Sequence, residues 1–116
     1  MEFGQQIKKG DDRTIKEFQF VVETALKKDI PTIITGDFNL SPETESIQII
    51  NEHFFNLIDK YKIKTTRPVF KDNIEERNNV VDYIFVNSGI KVNDFGAIQT
   101  NISDHLPLFL DFEIIG

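Results

Sequence analysis

The sequence predicts an α/β protein, and three observations lead there. One segment near the N-terminus repeats its apolar residues at helical spacing, and several short runs are rich in β-branched and aromatic residues. The segments follow one another as helix, strand, helix and then several strands, an order that suits a layered α/β domain.

The elements can be justified in turn. Asp11 or Asp12 can cap a first helix, along which Ile15, Phe18, Val22, Ala25 and Leu26 recur on one face. Lys27 and Lys28 close it favourably for the helix dipole, and Pro31 stops it. Thr32–Gly36 (TIITG) is a short β-branched run of the buried-strand type. Ser41 then stands as an N-cap with Pro42 at the first helical position, and Ile47, Ile49 and Ile50 supply the inner face of a second helix. Phe54–Lys64 fits either a helix or a strand. Thr65–Asn79 is polar, contains Pro68 and reads as a long surface loop. Val80–Asn87 (VVDYIFVN) reads as a buried strand with a turn at Ser88-Gly89, and Lys91–Gln99 and Leu106–Ile114 are the last two strands.

At 116 residues the chain suits a single domain spanning residues 1–116. With 40% hydrophobic and 28% charged residues, the composition is that of a globular protein and not a disordered one. No apolar run is long enough to cross a bilayer, and Met1 through Asp12 lack the character of a secretory signal, so a cytoplasmic protein with no membrane partner is expected. The absence of cysteine excludes disulfides and thiolate metal sites. A net charge of -6 argues against tight non-specific binding to nucleic acid, which needs Lys and Arg to neutralise phosphates. It leaves phosphate-ester chemistry open, because a carboxylate site that gathers a divalent cation is itself acidic. The 11 Phe against 2 Tyr bring large apolar area without a polar handle, and belong in a core or an interface.

Three motifs carry chemistry. Gly36-Asp37-Phe38-Asn39 falls where a buried strand gives way to a loop, a place where a rigid scaffold presents reactive groups. If the backbone stays extended, Asp37 and Asn39 project to one side and Phe38 anchors the other. A carboxylate there can hold a metal or a water, and an amide can donate to a phosphoryl oxygen. The alternative is a plain Asx turn. Asp82, set in an apolar strand, is costly to ionise without a partner; that partner either belongs to a functional site or is plainly structural, a local Arg such as Arg77 or backbone amides. Ser103-Asp104-His105 places an acid and an imidazole side by side before Pro107, which keeps the chain extended. His105 can meet Asp82 as an Asp–His pair that fixes the tautomer, or the SDH segment can be a solvated loop. His53, between Glu52 and Phe54, has no such company and reads as structural.

Taken together and in this order, GDFN, DYIFV and SDHLPL resemble the endonuclease/exonuclease/phosphatase superfamily, which includes deoxyribonuclease I, exonuclease III-type abasic-site endonucleases, bacterial sphingomyelinases and inositol polyphosphate 5-phosphatases. The resemblance implies a deoxyribonuclease I-like fold, half of a four-layer α/β sandwich, with a mixed, mainly antiparallel sheet and helices on one face. It implies a metal-dependent hydrolase, a nuclease, phosphodiesterase or phosphatase acting on nucleic acid or a small phosphoester with Mg²⁺ or Mn²⁺. Asp37 inherits contact with the attacking water or a metal, and Asn39 a hydrogen bond to the scissile phosphate. Asp104 inherits metal ligation. To His105 falls phosphate binding, protonation or general-base work, and to Asp82 the orientation of His105.

The match has gaps. Val80 stands where many members have a basic residue, and the Trp-Cys-Asp-Arg stretch of the inositol phosphatases is absent. Relative to that family the chain reads as the C-terminal half only. The other half supplies an Asn and the principal metal-binding Glu, and Glu2 lacks the strand context to replace it. Weak or absent metal binding and an inactive isolated chain are therefore expected. An uncovered sheet face further implies a homo-oligomer or a missing N-terminal half. Lys71 and Arg77 in the long loop are candidate phosphate contacts, or simply solvated. A non-catalytic remnant or a self-associating partner module that keeps the scaffold is the alternative function. A third reading is an unrelated α/β binding domain.

Overall fold

The computed structural model describes residues 12–67 and 80–115. Its elements run α1 (Asp12–Lys28), β1 (Ile33–Asp37), α2 (Glu45–Asn51), β2 (Phe55–Asn56), α3 (Leu57–Lys60), β3 (Asp82–Val86), β4 (Ile90–Ala97) and β5 (Leu108–Ile114). The α/β class is the one expected. The strands form a three-stranded sheet in the order β1-β3-β2 and a two-stranded sheet of β4 and β5, each pairing antiparallel.

Strand β3 is the centre of the larger sheet, which explains its apolar sequence: Tyr83, Ile84, Phe85 and Val86 are all buried. Its register with β1 sets Ile33 against Val86 and, at the far end, Asp37 against Asp82. Ile47 and Ile50 of α2 join Leu57, Ile58 and Phe54 in one core with β3. Helix α1 contributes Val22, with Phe18 and Ala25 packed at the margin. Phe18 meets the Phe38 ring edge-on at 5.2 Å between centroids. Gly89 lets the turn after β3 close on Pro31, since a Cβ there would sit 2.8 Å from the Pro31 Cα.

Three local expectations are corrected. Ser41 is not the N-cap of α2. Its carbonyl accepts from the Thr44 amide and hydroxyl, closing a four-residue turn, and the helix starts after Thr44. Leu26 is exposed although it lies on the expected face, because the core-facing arc of α1 is centred on Phe18, Val22 and Ala25. Phe54–Lys64 is both alternatives in succession, a two-residue strand and then a short helix that Asn56 caps by accepting from the Asp59 amide. Most of the long loop, including Lys71 and Arg77, lies outside the described residues, as do Glu2 and Asp11.

Candidate active site

The register of β1 on β3 makes Asp37 and Asp82 direct cross-strand neighbours. Like charges in that position repel one another, so the arrangement needs a cation or a proton between them. The His105 ring stands there. Its Nδ1 lies 2.9 Å from Asp82 Oδ2 and its Nε2 lies 3.5 Å from Asp37 Oδ2. Because an ionised carboxylate only accepts, Nδ1 carries the proton and donates to Asp82, and Nε2 is left to face Asp37. Asp82 is the least exposed of the three and Asp37 the most, so the group runs from the protein interior towards solvent.

The electrostatics follow from this geometry. The hydrogen bond to Asp82 raises the His105 pKa above 6.5, and the charges of Asp82 and Asp37 add to it. Burial and the Arg67 guanidinium act in the opposite direction and do not overturn the rise.

Each side chain has an identifiable support. The ladder between β1 and β3 continues one step past Asp37, with the Phe38 amide donating to the Val81 carbonyl at 3.0 Å. Phe38 stacks on Tyr83, and the Tyr83 hydroxyl donates to the Leu40 carbonyl at 2.5 Å, so β3 grips the loop after β1 at two points. Burial of that hydroxyl, followed by the nearby charges of Glu43 and Asp82, pushes the Tyr83 pKa far up and keeps it neutral. Asn39 departs from the extended path with φ 52°, and its amide donates to Asp37 Oδ1 at 3.1 Å. The Asx turn weighed as an alternative is thus present, and Asp37 also faces His105. The side chain of Asn39 is exposed beside it.

Asp104 is placed differently. Its exposed carboxylate accepts from the Ser103 hydroxyl at 3.5 Å. Among the described residues, the carboxylate and imidazole atoms within 4.8 Å of one another belong to Asp37, Asp82 and His105, a group that could hold a metal ion. The donor chemistry fits a hard divalent cation bound through few protein oxygens, since Mg²⁺ keeps several waters and often takes only one or two carboxylates. His105 is poorly placed as a ligand, because both ring nitrogens already face carboxylates. His53 is exposed at the end of α2 and takes no part.

Sequence reasoning missed two supports. The Tyr83 hydroxyl had a signal: in a chain with 11 Phe and 2 Tyr, a Tyr inside an apolar strand needs a partner for its oxygen. Thr66 had none. It sits in a polar stretch, yet it is fully buried, and its oxygens receive amides from two distant segments.

A family model described as Endonuclease/Exonuclease/phosphatase family matches residues 11–105. Solved structures agree in fold. An endonuclease/exonuclease/phosphatase from Bacteroides vulgatus superposes with a TM-score of 0.68 at 20% identity, over 90% of this chain and 45% of its own. A mannosyl-6-phosphatase from Bacteroides thetaiotaomicron gives 0.68 at 21% identity, over 92% and 48%. A functionally unknown conserved protein from Enterococcus faecalis gives 0.61 at 25% identity, over 82% and 42%. No curated protein matches at a significant level. The chain spans about half the length of the structures it resembles. By the extent of the family match and the shared fold, it belongs to the endonuclease/exonuclease/phosphatase family.

Proposed function

We propose that this chain carries the water-activating and phosphate-facing side of a metal-dependent phosphoester hydrolase. The observation that supports it most is the His105 ring held between Asp82 at 2.9 Å and Asp37 at 3.5 Å. Hydrolysis needs a positioned water, compensation of charge on the phosphoryl oxygens, and a proton for the leaving oxygen. Asp37, the most exposed of the three, takes the water and its proton. His105, whose raised pKa favours the imidazolium, carries an Nε2–H on the Asp37 side of the ring, from which the proton passes to the leaving oxygen, and Asp82 holds the ring and balances its charge. Asn39 presents its exposed amide to a phosphoryl oxygen. Asp37 and Asp104 are the carboxylates that would hold Mg²⁺ or Mn²⁺, which when bound would polarise the phosphoryl group.

Asp104 lies outside the close group of Asp37, Asp82 and His105, so the chain alone binds the ion poorly and turns over little substrate. A phosphomonoester or small phosphodiester suits the acidic chain better than a long nucleic-acid track. The neighbour that is a mannosyl-6-phosphatase adds sugar phosphates to the substrates worth trying. The alternative, a self-associating module, draws on the exposed Phe109, Phe112 and Ile114 of β5.

The test uses the ¹⁵N-labelled chain with Mn²⁺ and phenyl phosphate. Expected are paramagnetic broadening concentrated on residues 37, 82, 104 and 105, its loss in Asp37→Ala, and phosphate-induced shifts at Asn39 and His105. Broadening spread evenly over surface carboxylates, with no phosphate response at these positions, would sink the reading. Strong turnover of bis-p-nitrophenyl phosphate by the isolated chain would refute the expectation of inactivity.

A further inference from the structure

The contact between Asp82 and His105 joins two segments that, among the described residues, no strand pairing connects. Asp82 opens β3, which pairs with β1 and β2, whereas His105 belongs to the connection between β4 and β5. The three-stranded sheet is also incomplete at the site. Strand β2 reaches only Phe85 and Val86, so among the described residues one edge of β3 has no strand beside Asp82. Amides at such an edge need another acceptor.

Thr66 fills that place. Its Oγ1 accepts from the Val81 amide at 3.0 Å and from the Asp82 amide at 3.2 Å. Its carbonyl accepts from the Leu106 amide at 2.8 Å. One fully buried residue therefore ties the backbone carrying Asp82 to the backbone immediately following His105. Its neighbour Leu106 is buried too, so the tie is shielded from competing water.

We propose that Thr66 is the positioning residue of the Asp82–His105 pair, setting the separation of the two side chains by holding both backbones at one crossing. The proposal deepens the hydrolase reading above and depends on it only for the use to which the pair is put. Thr66 touches no reacting atom. It acts through backbone amides, and the group that matters is the hydroxyl oxygen, not the methyl. Valine has nearly the same shape without the acceptor, and serine keeps the acceptor without the methyl, so the two substitutions separate hydrogen bonding from packing.

The experiment reads the His105 ring by ¹⁵N NMR at a pH where the imidazole is neutral. In the unaltered chain Asp82 holds the proton on Nδ1, against the preference of free imidazole for Nε2. Thr66→Ser should keep the Nδ1–H form. Thr66→Val should lose most of it and approach Asp82→Ala, which serves as the reference for complete loss. A role confined to packing would lower the melting temperature of Thr66→Val without altering the tautomer. A folded Thr66→Val with the original tautomer overturns the proposal, as does a Thr66→Ser that loses it. Should Thr66→Val not fold, amide exchange in the unaltered chain decides. Val81, Asp82 and Leu106 should be protected like the amides of the ladder between β1 and β3, and free exchange at all three overturns the proposal. No turnover is needed. A chain that fails to bind phosphoester yet shows the tautomer response removes the hydrolase reading and leaves this one standing.

Discussion

At the scale of single residues, His105 gives the sharpest expectation. Its folded pKa lies above 6.5, so the native state holds the proton more tightly than the unfolded chain does. The pair's contribution to stability is complete below pH 6.5 and drains away as pH climbs through the raised folded value. Thermal melts should therefore fall with rising pH across that window, and Asp82→Asn should flatten the slope more than Asp37→Asn does, since the Asp82 hydrogen bond is the larger cause. Tyr83→Phe is the second. It strips the partner from the Leu40 carbonyl and should cost about 1–3 kcal/mol in urea denaturation, with faster amide exchange at Asn39. The meeting of Asp82 and His105 was readable in the sequence because an acid in an apolar strand demands a partner. Thr66 was not, because a threonine in a polar stretch looks the same whether its hydroxyl meets water or two buried amides.

Among the elements, α2 buries two of the isoleucines expected on its inner face. Ile47 and Ile50 are fully buried, and Ile47→Ala should cost roughly 2–5 kcal/mol by the transfer and cavity terms. Leu26→Ala on α1 should stay within about 0.5 kcal/mol, since that side chain is already exposed. Comparing the two in one denaturation series checks the assignment of faces. Helical spacing alone placed Leu26 inside, since periodicity marks an apolar stripe but not how much of it a neighbour covers. The start of α2 was misplaced for a related reason: Ser-Pro suits both a helix N-terminus and a tight turn, and the hydrogen bonds of Thr44 to the Ser41 carbonyl decide between them.

For the whole molecule the decisive quantity is thickness. The shortest principal extent is 19 Å, the depth of about two packed layers when facing sheets stand ~10 Å apart. Such a slab has more surface to cover than its core can use, and Phe109, Phe112 and Ile114 of β5 are among the apolar side chains left at least partly exposed. Light scattering should accordingly report a species heavier than the 13.4 kDa chain, and Phe112→Glu should return it towards the monomer. A clean monomer in the unaltered chain would remove the oligomer reading. Four of the five strands were accessible from patterning, whereas β2 lay in a stretch that suited helix or strand, and the division into two separately paired sheets depends on contacts between residues far apart in the chain.

The register that sets Asp37 opposite Asp82 has one more consequence. Successive strand residues alternate faces, so a slip of one position between β1 and β3 would send the two carboxylates to opposite sides of the sheet, where no single imidazole could span them. The site thus works as a gauge of correct assembly. A refolded sample in which His105 shows contact with both acids has aligned its central strands, and one whose histidine titrates like a free imidazole has not, whatever its helix content.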